Sequence, residues 1–531
     1  MSFSSIPFLW FLAAFLTLYG FCPGPYRRYL LLLGSVVFVA LGSFSAMLIA
    51  LVAAGVNFGL GICVQRSTHR KLTLAAAVAI NVLFLVTFKL SGAVPLGFSF
   101  YTFAMIAYLV DVSREQHEAE YDPFYFSTYA FFFPKFVMGP ITRYGEMAAE
   151  LEKPKLSLNG LQTGLENFVT GFAMKIFIAN RLASLWSDLM QIGYQCLPFS
   201  LAWLGAFSFS IQLYIEWQSY TLMAQGIAGM LGYKLPQNFN YPYLARSVGD
   251  FYRRWHMTLT RWFKDYVYIP LGGSRAGTGR TVLNILIVWL LTSLWHGSGL
   301  APKYLLWGVA FGAAVIADSR WNRRINGRSL DPDSGRRPTT SGLLLGHIWL
   351  ILMLPVTVAV LWKPAPGLNF ILWGMTVGCC AVLERLWKTF VVQRFRIGKR
   401  LEEMGPIGKV WKVFVSILAH LWVLIPIIVS WVMFTIRDVD QLAIYLGRLF
   451  PAPGKSAGVD PTDFARYWKL VGPAIIAGVI LCFPLPETII RRIGKSRIGS
   501  WVLSVLLAAL FWYSVYVLTQ HGSDPMGYAA F

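Results

Sequence analysis

Charge is what this sequence has least of. Asp, Glu, Lys and Arg make up 13% of its 531 residues, against the ~25% typical of water-soluble chains. That scarcity excludes a soluble globular enzyme. Acid is the rarer sign, 25 Asp and Glu against 46 Lys and Arg. A net charge of +21 raises the question of nucleic acid, but the basic residues stand in short loops between apolar runs, which is how a membrane protein fixes its orientation. No nucleic-acid partner is expected. Cysteine is also sparse. Cys22, Cys63, Cys196, Cys379, Cys380 and Cys482 lie in or beside apolar segments without metal-ligand spacing, so neither a disulfide framework nor a metal site is expected. Met1–Ser5 lacks a positive start, and no small-residue cleavage site follows Cys22, so the first segment should stay as an anchor. No internal repeat relates the two halves, which argues against a transporter built by duplication.

What is abundant is apolar surface, 56% of the residues, with a mean hydropathy of +0.56. Uncharged stretches long enough to span ~30 Å of hydrocarbon recur along the whole chain. Candidate spans are 6–22, 29–42, 46–64, 72–90, 96–112, 160–187, 200–232, 281–299, 303–317, 342–362, 368–384, 413–435, 470–486 and 499–519. Some are short enough to pair or dip. The fold class is therefore an all-α polytopic membrane protein with about 11–14 transmembrane helices, in one integral domain over 1–531. Two further stretches, 123–141 and 250–268, read as re-entrant or interfacial. The loops 318–340, 385–412 and 487–497 are densely basic, whereas 436–469 mixes both signs. The first three should face the cytoplasm and the last the exterior. Alternation then places 246–280 inside, with Arg66, Arg70 and Lys71.

Chemistry concentrates at two histidines. Segment 281–302 carries no Asp, Glu, Lys or Arg, yet contains Trp295-His296-Gly297. An ionisable side chain at membrane depth is a functional hypothesis by default, and imidazole suits proton removal from an alcohol near neutral pH. The alternative is a histidine hydrogen-bonded to a neighbouring helix. The second is His256. Wound as one helix at 100° per residue, 250–268 gathers Phe251, Trp262, Tyr266, Leu259, Tyr252, Phe263 and Val267 on one arc and Arg253, Lys264, Arg261, Arg254 and Asp265 on the other. His256 falls on the apolar flank, as a second site residue or as an interfacial histidine among aromatics. From 245 to 280 there are seven Lys/Arg and two Asp, including Arg253, Arg254 and Arg275 beside the Pro270–Gly273 turn. Such a patch fits either the phosphates of a cofactor or lipid headgroups. Glu216, among Gln212, Gln218, Ser219 and Tyr220, reads as a carboxylate that lines a passage or pairs with a cation. Lys89, Asp111, Lys135 and Lys175 are further ionisable candidates inside apolar runs.

The series Phe251-Tyr252-Arg253-Arg254-Trp255-His256, Tyr266-Val267-Tyr268-Ile269-Pro270-Leu271-Gly272-Gly273 and Leu294-Trp295-His296-Gly297 resembles the membrane-bound O-acyltransferase family. The nearest likeness is to its bacterial branch, which includes the alginate O-acetyltransferase membrane subunit and the teichoic-acid D-alanyl transfer protein. It runs over about 80–312 through Phe88-Lys89, Pro95–Phe103, Gly139-Pro140-Ile141-Thr142-Arg143-Tyr144 and Met230–Tyr233, and leaves 313–531 as a less similar helical part. The resemblance implies a helical bundle in the bacterial inner membrane around a central passage, where a cytoplasmic acyl thioester such as acetyl-CoA meets an acceptor hydroxyl. His296 takes the catalytic position and His256 the accessory one; the donor would lie on Arg253, Arg254 and Arg275. Implied partners are membrane lipids, the thioester and an extracytoplasmic acetyltransferase or polysaccharide-biosynthesis protein. D-alanyl transfer from a carrier protein, and non-enzymatic transport of a lipid or glycan, are the competing readings. The chain departs from the branch at Ile215–Ala224 and only loosely follows it at Asp524–Tyr528, which bears on acceptor and partner.

Overall fold

A computed structural model of the chain describes residues 1–91, 97–136, 138–273, 275, 280–281, 283–285, 287–288, 291–292, 405–436, 438–450 and 462–521. Among them there is no strand. Six helices are long and apolar enough to cross a bilayer: Phe44–Arg66, Arg70–Lys89, Leu158–Ile192, Lys409–Thr435, Asp463–Leu481 and Arg497–Gln520. Ile6–Phe21 and Phe98–Ser113 are shorter apolar helices. The protein is an all-α polytopic membrane protein. Expected spans 303–317, 342–362 and 368–384, and most of 281–299, lie outside the described residues.

The chain opens with α1 (Ile6–Phe21), α2 (Arg27–Gly42), α3 (Phe44–Arg66), α4 (Arg70–Ser91) and α5 (Phe98–Ser113). Short α6 (Pro123–Phe131) and α7 (Phe133–Phe136) follow. Asp122 caps α6 through its side chain and pairs with Arg28, at the start of α2, at 3.5 Å. Eleven residues on, the Phe133 amide donates to Ser35 Oγ at 3.3 Å, halfway along α2, and the chain then returns until Tyr144 donates its hydroxyl to Glu120. Entry and exit share one side. The stretch 123–141, expected to be re-entrant or interfacial, folds back on itself: Phe131, Phe132 and Phe133, each 0% exposed, are drawn into the bundle while the polar ends stay out.

The same side collects the charges. Arg70 pairs with Glu115, the Arg66 guanidinium lies 5.4 Å from the Tyr121 ring, and Arg114 Nη2 donates to the Asp265 carbonyl at 3.0 Å. The 66–71 cluster and the 261–265 segment therefore meet at one basic end, as the alternation of loops requires. Here α8 (Tyr144–Glu152) also lies. Burial first, then the hydrogen bond to Glu120, holds the Tyr144 hydroxyl well above its ordinary pKa; it stays protonated as the donor of that bond.

Two long helices form the centre. α9 (Leu158–Ala173) passes through a π turn, Met174–Ala179, into α10 (Asn180–Ile192), and α11 (Phe199–Met230) returns against it. In lipid, helices gain little from apolar surface alone and associate through small residues that let backbones approach. A Cβ on Gly164 would sit 2.7 Å from the Gly226 carbonyl oxygen, and one on Gly226 2.6 Å from that of Gly164. On Gly171 it would sit 2.5 Å from the Ser219 oxygen. Both buried cores draw residues from α5 and α11, so these two helices are the shared wall. After α12 (Val248–Arg254) and α13 (Met257–Phe263), the remaining helices are α14 (Gly405–Thr435), α15 (Val439–Arg448), α16 (Thr462–Leu481), α17 (Leu485–Ile493) and α18 (Arg497–His521). α16 begins eight residues before its expected span, because Arg466 and Lys469 lie on a helix whose first turns project from the apolar run.

The glycine contact is testable. Gly226→Ala should destabilise by about 1–3 kcal/mol through overpacking and lower the thermal unfolding midpoint in detergent. Gly229→Ala, whose Cβ would find its nearest atom at 3.6 Å, should change it little. Equal midpoints for the two variants would remove the backbone contact as the reason for the pairing.

Candidate active site

The stretch 250–268 is not the single amphipathic helix that its periodicity suggests. It breaks at His256, whose backbone is left-handed with φ 44°, a conformation that costs an L-residue ~1–2 kcal/mol. α12 ends at Arg254, α13 starts at Met257, and a π turn, Lys264–Tyr268, closes the segment. The break persists because the 238–240 segment meets its backbone groups. The Met257 amide donates to the Asn238 carbonyl at 2.8 Å, and the Asn240 amide to the Arg254 carbonyl at 3.0 Å. Periodicity cannot reveal this, since the partner lies some 15 residues away in sequence.

The turn carries His256 inward, where it is 4% exposed. Its ring meets Trp217 of α11 edge-on at 4.7 Å between centroids and lies near-parallel to Phe100 of α5 at 6.4 Å. Phe100 is 14 residues from Arg114 along α5, ~21 Å from the basic end at 1.5 Å per residue. Nδ1 lies 2.9 Å from Asn238 Oδ1, which also accepts from Thr258 Oγ1 at 2.9 Å. Thr258 Oγ1 in turn accepts the Ile141 amide at 3.3 Å. Thus Gly139–Tyr144, 230–240 and 250–268, far apart in the chain, converge on one imidazole. α13 is fixed further along by Trp262 Nε1 donating to the Phe103 carbonyl at 2.8 Å and the Tyr266 hydroxyl donating to Asp111 Oδ2 at 2.7 Å.

One residue from Trp217, Glu216 accepts from Lys175 Nζ at 2.8 Å, with both side chains about 2–3% exposed. Lys175 stands in the π turn, where the widened helix lies against α11. The cation is thus a lysine from the neighbouring hairpin. Lys135 is handled differently: its ammonium sits 3.4 Å above the centre of the Tyr129 ring, a cation–π contact.

Of the three arginines expected to hold a donor, Arg254 is already engaged, by Asp250 at 3.0 Å and the Asn240 carbonyl at 3.3 Å. Arg253 is 71% exposed, 3.4 Å from Asp250, and Arg275 is exposed. The Leu271–Gly273 turn, with φ 101° at Gly272 and 53° at Gly273, needs glycine for that geometry. Its carbonyls accept from Asn284 Nδ2 at 3.0 and 3.2 Å, which ties it to the helical residues that follow Arg280. His296 lies outside the described residues. Missed by sequence reasoning are Asn238 and Thr258, which only a contact in space identifies. Arg114 was also missed, and Arg143 was named only within the Gly139–Tyr144 motif; their guanidiniums lie 5.7 and 5.2 Å from the Tyr266 ring, and Arg143 pairs with Asp265.

Compared with known proteins, residues 46–360 match the sequence model of the membrane-bound O-acyltransferase family. The chain is 34% identical over 348 residues to a probable alginate O-acetylase of Pseudomonas fluorescens, which covers 62% of this chain and 69% of that protein. It is 33% identical over 340 residues to a peptidoglycan O-acetyltransferase of Helicobacter pylori, covering 58% and 64%. With a teichoic acid D-alanyltransferase of Bacillus subtilis it shares 28% over 244 residues, covering 43% and 60%.

The buried ion pair yields a prediction. Glu216→Leu alone strands a buried ammonium and should cost about 3–5 kcal/mol, read as loss of folded protein in detergent. Pairing it with Lys175→Met should restore most of that loss, since apolar replacement of a whole buried pair is often neutral or stabilising. A double variant no better than the single would show that the two side chains are not coupled.

Proposed function

The chain belongs to the membrane-bound O-acyltransferase family, and from that premise we propose that it moves an acetyl group from acetyl-CoA at its basic end to hydroxyls of an exported polysaccharide, directly or through an external partner protein. The observation that carries this reading is the likeness to O-acetylating relatives, longer and higher in identity than that to the D-alanyltransferase. The three motifs of the resemblance also follow one another along the sequence in the order that likeness requires. Transport of a lipid or glycan without chemistry has no such support.

In this reading the basic end faces the cytoplasm of a bacterial inner membrane, and Arg253 and Arg275, both exposed, meet the phosphates of the thioester. His296 acts as the general base. It takes the proton of an acceptor hydroxyl as that oxygen bonds to the acetyl carbon; the carbon–sulfur bond breaks, and the departing thiolate takes the proton from the His296 imidazolium, which returns to the neutral base. His256 stands beside this reaction as the second imidazole. The aromatic wall of Phe100, Trp217 and Trp255 limits water, which would otherwise compete as the acceptor.

His296→Ala protein that remains folded should lose about 10²–10⁴-fold in acetyl transfer, the usual share of general-base catalysis, measured with labelled acetyl-CoA and candidate glycans. Transfer at the wild-type rate would remove His296 as the base. Consumption of an aminoacyl carrier thioester in place of acetyl-CoA would favour D-alanyl transfer.

A further inference from the structure

We propose that Asn238 is a positioning residue that fixes the tautomer and ring orientation of His256, and so decides which imidazole nitrogen this site presents. The inference rests on the acyltransferase reading for its consequence, but its geometry stands apart from it.

Asn238 is 2% exposed and held from both of its ends. Its backbone carbonyl accepts the Met257 amide at 2.8 Å, and its side-chain Oδ1 accepts from Thr258 at 2.9 Å and faces His256 Nδ1 at 2.9 Å. The Thr258 hydroxyl already accepts from Ile141 and directs its own proton to Asn238, which turns the amide oxygen toward the ring. A carbonyl oxygen only accepts. In neutral His256 the proton is therefore on Nδ1, and Nε2 carries the lone pair. Removing that acceptor frees the ring to change tautomer or rotate against Trp217 and Phe100.

A carboxylate at 238 would do something a merely structural side chain cannot. A negative charge against Nδ1–H stabilises imidazolium and raises the pKa of His256. Among the described residues, several charged groups on the elements packed round this ring have partners of their own. Lys175 pairs with Glu216 next to Trp217 on α11, and Asp250 with Arg253 and Arg254 on α12. Arg261 of α13 pairs with Glu146 at 2.6 Å. Arg143, after Ile141, pairs with Asp265; Asp111 of α5 accepts from Tyr266, and Lys135 of α7 lies over Tyr129. Substitution at 238 leaves all of these in place.

The test uses the full chain in detergent or nanodiscs. Labelled acetyl transfer is followed from pH 5 to 9 for wild type, Asn238→Ala, Asn238→Asp and Thr258→Val. Followed by ¹⁵N-histidine NMR over the same pH range, Asn238→Asp should keep the His256 ring doubly protonated to a pH higher by about one unit or more than in wild type. Asn238→Ala should lower kcat by about tenfold or more, with KM for the donor within about threefold and no upward shift; Thr258→Val should fall between Ala and wild type. ¹⁵N-histidine NMR, with His256 assigned by its loss in His256→Gln, should show Nδ1 protonated in wild type and a mixed or Nε2-protonated ring in Asn238→Ala. Superimposed His256 titrations for Asn238→Asp and wild type, or an unchanged His256 signal in Asn238→Ala, would overturn the proposal. Absence of acyl transfer by the wild-type protein would instead count against the acyltransferase chemistry proposed above, while the NMR arm would still decide the role of Asn238.

Discussion

Backbone amides and carbonyls inside a bilayer have no water to turn to, so a helix can break there only where other protein groups meet its freed polar atoms. The break at His256 obeys that constraint, and the arrangement of the site follows from it. Residues 238–240 run alongside and bond both flanks of the turn. The left-handed residue could otherwise relax into helix, which would swing the imidazole away from Asn238. The same segment that repairs the backbone also supplies the side chain that meets the ring, so backbone repair and side-chain placement are one structural event.

That coupling explains why motifs far apart in the chain belong together. Thr258 reaches Ile141, Trp262 reaches Phe103 and Tyr266 reaches Asp111, so α13 and the π turn after it are pinned at three heights to the 123–141 stretch and to α5. α11 supplies the opposing wall, held against α9 by glycine contacts and by the Lys175–Glu216 pair. A rigid cradle of this kind suits group transfer, in which a misplaced nucleophile loses rate steeply.

The basic end has a different logic. Its arginines lie in reach of aromatic rings and acids: Arg114 and Arg143 at Tyr266, Arg143 also at Asp265, and Arg261 at Glu146. Much of the positive charge that the sequence displays as one patch is therefore structural adhesive between loops. Arg253 and Arg275 remain outward. Spacing shows only part of this: Asp250 lies within one turn of Arg253 and Arg254 on α12, whereas Asn240, Glu146 and Asp265 are brought to Arg254, Arg261 and Arg143 by the fold.

The sequence by itself determined the fold class and most of the described helices. Those features are local: an apolar run either exceeds the hydrocarbon thickness or does not, and basic loops declare their side. It also marked His256 and Glu216 as residues out of place in their surroundings. Only the tertiary structure decided what they do. The break at His256, the choice of Lys175 as partner of Glu216, and the role of Asn238 each depend on contacts between segments separated by 18 or 41 positions. Burial makes such contacts compulsory, since a polar group without water must find a partner in space, and periodicity along one strand of chain carries no record of which partner that is.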